Sequence, residues 1–312
     1  CGYLPGAASR SATGAGSCLQ ARHCPQRRYG LSETDSAGAA ASGGMLAGKR
    51  GVILGVANKR SLAWSIARAC AAQGAELALT CQGERFEPVV RSLAEQLPGG
   101  GADVPILRVD VTDEPQIERA ANALSARWDR LDCLVHAIAY ANPAELKGRF
   151  RDTSRDGFNV ALDISAYSVI PCARAFGALM TAGGSVVALS YLGGERVVPN
   201  YNVMGVAKAA LDSAMRYLAY DLGPQGIRVN TVAPGPVRTV SASSVGDFAK
   251  MLDHVKEVAP LRRNVTGDEV GNVVAFLVSD LASGVTGTHI PIDCGFTALG
   301  LTIGIHDPEP DA

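Results

Sequence analysis

The chain has 312 residues, 47% of them hydrophobic but only 5% aromatic, which suits one large or two ordinary domains built on an aliphatic core of Ala, Val, Leu and Ile. A formal net charge of −1 offers no broad field to nucleic acid or an anionic membrane, and charged residues break every apolar run short of the roughly 18 residues a membrane span needs. A soluble protein is expected, with no nucleic-acid or membrane partner.

Eight cysteines, at 1, 18, 24, 70, 81, 133, 172 and 294, form no C-x-x-C pair. They read as small buried hydrophobes of a reducing compartment, so neither a metal site nor a disulfide framework is expected. Residues 1–44 stand apart, rich in Gly, Ala and Ser, with four arginines and almost no hydrophobic periodicity. Upstream translated sequence, a transit peptide and an expression remnant compete as explanations. Glu33, Asp35 and the lack of an amphipathic face favour a disordered or non-native extension, with Met45 as the natural start and 45–312 as the fold.

From Arg50 onward apolar runs alternate with helical patterns. Strands are predicted at 51–56, 76–80, 105–109, 133–138, 185–189, 228–232 and 289–292, and helices near 61–73, 86–97, 114–128, 154–180, 200–222 and 267–279. Near-continuous apolar strands separated by helices predict an α/β fold, a doubly wound parallel sheet of about seven strands with helices on both faces. No repeat and no linker divides residues 45–312, so one catalytic domain is expected. Residues 238–254 carry helical patches, several serines and weak periodicity. They read either as a lid over a ligand crevice or as a helix packed elsewhere.

The turn after the first strand, Gly55-Val-Ala-Asn-Lys-Arg-Ser-Leu62, has the small residues a nucleotide pyrophosphate needs for close backbone approach at a helix N-terminus. Gly55 and Ala57 allow that approach, and Ser61 is either the N-cap or a phosphate ligand. The stretch is not G-x-G-x-x-G, and alone it describes any strand-to-helix turn. Gln82, closing the second strand, can bond an adenosine ribose and offers no clamp for a 2′-phosphate, which points to NADH; Arg85 nearby keeps NADPH open. Asp110 and Val111, after the third strand, are placed to hold an adenine edge, although Asp110 also suits a loop cap. His136-Ala-Ile-Ala139, after the fourth, would flank the nicotinamide.

The fifth strand leads into Ser190-Tyr-Leu-Gly-Gly-Glu-Arg-Val-Val-Pro-Asn-Tyr-Asn-Val-Met-Gly-Val-Ala-Lys208 and a long helix. Tyr201 and Lys208 are seven residues apart, which on a helix is two turns with about 20° of drift. They therefore share a face. A phenol beside a fixed cation makes a proton donor, and the ammonium can also hold ribose hydroxyls. A packed aromatic and a solvated lysine are the plainer alternative for that pair in isolation.

In this order and spacing the motifs resemble the enoyl-acyl carrier protein reductases, a divergent branch of the short-chain dehydrogenase/reductases with a Rossmann-like fold. The resemblance covers about Met45 to Gly300 and rests on Gly48–Asn58, Gly74–Thr80, Ser190–Lys208, Gly235–Thr239 and Val270–Phe276. Ordinary members of the superfamily place lysine four residues after the tyrosine, where this chain has Gly205. The branch uses Tyr-x6-Lys with a second tyrosine ten residues upstream, matched by Tyr191.

The resemblance implies reduction of a trans-2-enoyl thioester carried on acyl carrier protein, with NADH as hydride donor, in the last step of fatty-acid elongation. It assigns Tyr201 as hydrogen-bond donor to the thioester oxygen, Lys208 as holder of the ribose, and Tyr191 to the acyl or thioester pocket. Cofactor contacts are implied for Gly55, Ser61, Leu62, Gln82, Asp110, Val111, Ile138, Lys208 and Val237, Arg238, Thr239, Val240 and Ser241, and a substrate contact for Ala141. A homotetramer in the cytoplasm is implied, or a plastid location if residues 1–44 are a transit peptide. Ala139, Ser65, Pro234 and Cys294 depart from the usual family residues. A carbonyl reductase and a non-catalytic nucleotide-binding scaffold are the rival readings.

Overall fold

The computed structural model describes residues 43–99, 103–240 and 246–302. The extension read from the sequence as residues 1–44 thus lies almost wholly outside the described residues.

Seven strands pair in parallel in the order β3-β2-β1-β4-β5-β6-β7. They are β1 (Arg50–Leu54), β2 (Glu76–Cys81), β3 (Ile106–Arg108), β4 (Cys133–His136), β5 (Gly184–Leu189), β6 (Ile227–Pro234) and β7 (His289–Ile292). The chain winds outward from β1 through β2 to β3, then returns to the other side of β1 and continues to β7. The strand order therefore reverses between β1 and β4, and a doubly wound sheet opens its ligand crevice at the carboxyl ends of the strands at such a point.

Helices cover both faces, as the strand composition requires. On one side α1 (Leu62–Ala72), α2 (Glu87–Ala94) and α8 (Gly267–Val278) bury Trp64, Ile66, Leu93 and Val274 against Ile53, Leu79 and Val187. On the other, α3 (Glu114–Ser125), α5 (Val169–Gly177) and α6 (Asn202–Leu222) bury Ile117, Leu124, Phe176, Leu211 and Met215 against Val52, Leu134 and Val186. Helix α8 crosses α1 closely because Gly267 and Gly271 have no side chain: a β-carbon would stand 2.5 Å from Ser65 Oγ at the first and 2.7 Å from Ser65 O at the second. Ser65 thus packs directly against the two glycines of α8.

Two expectations need correction. The predicted strand 133–138 ends at His136, because Ala137 and Ile138 leave the sheet to line the crevice. The predicted helix 154–180 is three pieces, α4 (Arg155–Leu162), a π-helical turn over Asp163–Tyr167, and α5. Pro171 in the first turn of α5 needs no amide partner, and Ser168 N reaches five residues back to Asp163 O at 3.0 Å. The widened turn brings two serines inward. Ser168 Oγ meets His136 Nε2 at 2.8 Å, and Ser165 Oγ accepts from Tyr140 N and donates to Tyr140 O, both at 2.9 Å. The loop after β4 is thereby pinned at the edge of the crevice.

Segment 238–254 resolves partly into α7 (Phe248–Val258), whose Leu252, Val255 and Val258 are buried. Residues 241–245 of that predicted lid lie outside the described residues.

Candidate active site

A cavity of about 490 Å³ opens at the carboxyl ends of β1, β4, β5 and β6. Its walls include Gly55, Ala57, Ser61, Leu62, Ile138, Ala141, Tyr191, Tyr201, Lys208, Val237, Thr239 and Val240. Most residues singled out in the sequence therefore converge on one space.

At the nucleotide end, Gly55 adopts φ +92, open to glycine at little cost. A β-carbon there would collide with Ala137 O and approach Ile138 Cγ1 to 3.2 Å. Only a bare α-carbon lets the turn after β1 fold against the loop after β4. Ser61 is resolved as the N-cap of α1: its hydroxyl accepts from Trp64 N at 3.3 Å and donates to Asn58 O at 2.8 Å. The α1 N-terminus, with its free amides, faces the crevice, and that cradle fits a dinucleotide pyrophosphate.

Four predicted contacts stand outside the cavity wall. Gln82 and Asp110, at the ends of β2 and β3, bond each other through Nε2 and Oδ2 at 3.3 Å, which makes one polar edge beyond the cavity. Val111 is buried in the core beneath α3, and Arg238 is exposed to solvent. Ser241 lies outside the described residues. Arg85, the residue that keeps NADPH open, lies over the Phe86 ring, 4.5 Å from its centroid.

At the reacting end, Tyr201 is the residue before α6, flanked by Asn200 at φ 62 and Asn202 at φ 38. Asparagine tolerates this left-handed backbone better than most residues, and two such positions, one on each side of Tyr201, turn the chain sharply into the helix. The side-chain amides secure the turn, Asn200 Nδ2 to Gly246 O at 3.4 Å and Asn202 Nδ2 to Gly148 O at 3.3 Å. Tyr201 and Tyr191 stack at an angle of 58°, ring centroids 4.8 Å apart. The Tyr191 hydroxyl reaches Met251 Sδ at 3.3 Å, which joins α7 to the site.

Lys208 is only 4% exposed and donates through Nζ to Leu189 O at 2.6 Å. Burial pushes its ammonium down to about 8, and Asp212 holds it up against that trend. Burial, with Tyr191 and Asp212 adding to it, raises the Tyr201 phenol far above its ordinary value; burial pushes Tyr191 up to about 12. Both tyrosines are thus neutral donors at physiological pH. The Tyr201 phenol keeps its proton, and the lysine beside it is tied to the strand end through Leu189 O.

Sequence reading missed the apolar wall. Tyr140, Leu146, Met204, Phe248 and Met251 line the cavity, and Leu146, Met204 and Ala141 belong to a small cluster with Ala161, Val203 and Ala207, against which Tyr201 packs. Met204 lay within reach of the helical spacing, three residues after Tyr201 and four before Lys208. Leu146, Phe248 and Met251 come from loops and a helix whose approach depends on the fold.

A doubly wound sheet, a glycine turn under a helix N-terminus and a half-buried Tyr201 beside the buried Lys208 together define a Rossmann-fold, nucleotide-dependent oxidoreductase. Residues 55–297 match the model of the Enoyl-(Acyl carrier protein) reductase family. The chain belongs to that family. It is 50% identical over 256 residues to the NADH enoyl-[acyl-carrier-protein] reductase FabI of Bacillus cereus, covering 82% of this chain and 99% of that one. It is 48% identical over 262 residues to the NADH enoyl-[acyl-carrier-protein] reductase 1 of Rhizobium meliloti, covering 84% and 95%. The B. cereus crystal structure with NADP+ and indole naphthyridinone superposes with a TM-score of 0.81 at 50% identity, over 83% of this chain and all of that one. The Anaplasma phagocytophilum reductase in complex with NAD gives 0.79 at 47% identity, over 83% and 98%. Among the described residues no helix is long and apolar enough to cross a membrane.

Proposed function

We propose that this chain is an NADH-dependent enoyl-thioester reductase that saturates the trans-2 double bond at the end of each fatty-acid elongation cycle. The observation that carries the reading is the Tyr201–Lys208 face on the wall of an apolar cavity at the sheet's switch point. Bound NADH supplies the hydride that goes to the β-carbon. As it is transferred, negative charge gathers on the thioester oxygen, and a donor that bonds this oxygen more strongly than the ground-state carbonyl lowers the barrier. Tyr201, half-buried against the apolar wall and held in its phenol form, is that donor. Lys208 would hold the cofactor ribose and supply a cation beside the site. Tyr191 and Met251 shape the pocket for the thioester and its chain, while Leu146, Met204 and Phe248 exclude water from it.

Gly55, the α1 N-terminus, Ile138 and the strip from Val237 to Val240 would hold the dinucleotide, with the Gln82–Asp110 pair at its adenosine end. An acidic group there disfavours a 2′-phosphate, and Arg85 is occupied with Phe86, so NADH is the preferred donor. We take acyl carrier protein as the carrier of the substrate, residues 45–312 as one catalytic domain with α7 as part of a lid, a homotetramer as the working assembly and the cytoplasm as its compartment, all in keeping with the family resemblance.

The test is the initial rate of NADH oxidation with crotonyl thioester against that with simple ketones. Turnover confined to the thioester supports the reading, and turnover confined to ketones replaces it with a carbonyl reductase. Running the thioester with NADH and NADPH in parallel tests the cofactor preference, which equal rates would refute.

A further inference from the structure

Asp212 is a buried charge that the reaction scheme leaves without a task. It lies one turn beyond Lys208 on α6 and is 7% exposed. A carboxylate at that depth needs partners. Its Oδ1 meets His289 Nδ1 at 3.3 Å, and the Thr231 hydroxyl reaches the same nitrogen at 3.0 Å. Its Oδ2 lies over the turn that follows Tyr191, 3.0 Å from where a β-carbon on Gly194 would stand. On the far side of the imidazole, Nε2 faces Glu195 Oε1 at 3.7 Å, and the Glu195 side chain is 55% exposed. Asp212 thus sits between Lys208, one turn back on the same helix, and His289, which leads on to Glu195 at the surface.

We propose that Asp212, backed by His289, is the positioning residue that keeps Lys208 in its charged form in the working enzyme. The hydrogen bond from Lys208 goes to a neutral carbonyl, Leu189 O, which does not offset the loss of hydration around a buried ammonium. The other titratable groups near it are His136 on β4, driven neutral by burial and by Lys208, and the phenols of Tyr201 and Tyr191. Asp212 supplies the opposing charge. His289 is faced by Asp212 and Arg216 from α6 and by Glu195 from the turn after β5. The Asp212 hydrogen bond favours its imidazolium form, burial opposes it, Glu195 adds to the first effect and Arg216 to the second. Neutral His289 leaves the whole Asp212 charge to Lys208, and a cation at 289 takes a share of it. The proposal rests on the reading of Lys208 as a cationic holder of the ribose.

The experiment is the pH dependence of NADH binding to the full chain, followed by the fluorescence of the reduced nicotinamide from about pH 6 to about pH 10. Asp212→Asn should move the alkaline loss of binding down by about 1 pH unit or more, and Asp212→Glu should restore it. His289→Lys, a permanent cation against Asp212, should move it in the same direction, and His289→Asn, neutral at every pH, should leave it in place. The two His289 variants decide the matter if Asp212→Asn does not fold. An alkaline limb that the parent and His289→Lys share would overturn the proposal at Asp212. A parent with no alkaline limb would overturn it at Lys208. Neither readout involves an enoyl thioester, so both are separate from failure of the reductase reading.

Discussion

A β-carbon at Gly205 would stand 2.7 Å from the carbonyl oxygen of Gly193. Helix α6 and the turn that follows Tyr191 therefore meet backbone to backbone, and no side chain fits four residues after Tyr201, where ordinary short-chain dehydrogenases carry lysine. The ammonium stands instead three residues further along α6, at Lys208, bonded to Leu189 O. Gly205→Ala should destabilise the fold by about 1–3 kcal/mol, since neither backbone can give way easily. Thermal melts would register this, and enoyl reduction should fall further than stability alone accounts for, because the displaced turn carries Tyr191.

Tyr201→Phe removes the donor and leaves the ring, its stacking on Tyr191 and the entry to α6 in place. The expected loss is about 10²–10³-fold in kcat, the usual effect of deleting one such donor, with NADH binding unchanged. Parent-like kcat with crotonyl thioester would take the role away from Tyr201.

Met251 touches the Tyr191 hydroxyl from α7 and lines the cavity. Met251→Ala should raise KM for the enoyl thioester by about 10-fold, the scale of a lost apolar contact, and leave KM for NADH where it was. Equal changes in both constants would mean that α7 acts on the nucleotide and not on the acyl group.

Cys294 adopts φ 59 in the turn after β7, a left-handed backbone that favours glycine. Cys294→Gly should relieve about 1 kcal/mol and raise the melting temperature by about 2 °C in calorimetry. A lower melting temperature would show that the thiol packs more favourably than its backbone is strained.

His136 is buried as a neutral imidazole, pushed down from 6.5 to about 3 by burial with Lys208 adding to it. A folded value below the unfolded one means that unfolding takes up a proton. The contribution is complete above 6.5 and is lost as pH falls toward 3. His136→Gln should flatten the fall of melting temperature between about pH 6.5 and about pH 4. His289, raised by its Asp212 hydrogen bond, works in the opposite sense: its contribution is present below 6.5 and fades as pH rises through the folded value. An unchanged acid slope in His136→Gln would shift the acid sensitivity to the carboxylates.

The sheet was legible in the sequence because buried parallel strands are apolar on both faces, and the Tyr201–Lys208 face because helical periodicity is a local property. What escaped detection depends on strand order. Gln82 and Asp110 lie 28 residues apart and meet because β2 and β3 are neighbours. Asp212 and His289 lie 77 residues apart and meet because β7 closes the sheet beside β6. Val111 is placed at the adenine edge by its position after β3, and burial of its side chain beneath α3 leaves its backbone as the part that could serve there. The π turn was invisible for a different reason: the wider turn hardly alters an apolar pattern over so short a stretch.

Tyr201, Lys208 and Asp212 all ride on one 21-residue rod, the first at its threshold and the others along a single flank. Adding or removing one residue between positions 201 and 212 would swing everything downstream by about 100° and scatter the three groups around the cylinder. Lineages can therefore exchange the letters of this stretch but not its length, so descent here should be recorded in substitutions and never in gaps.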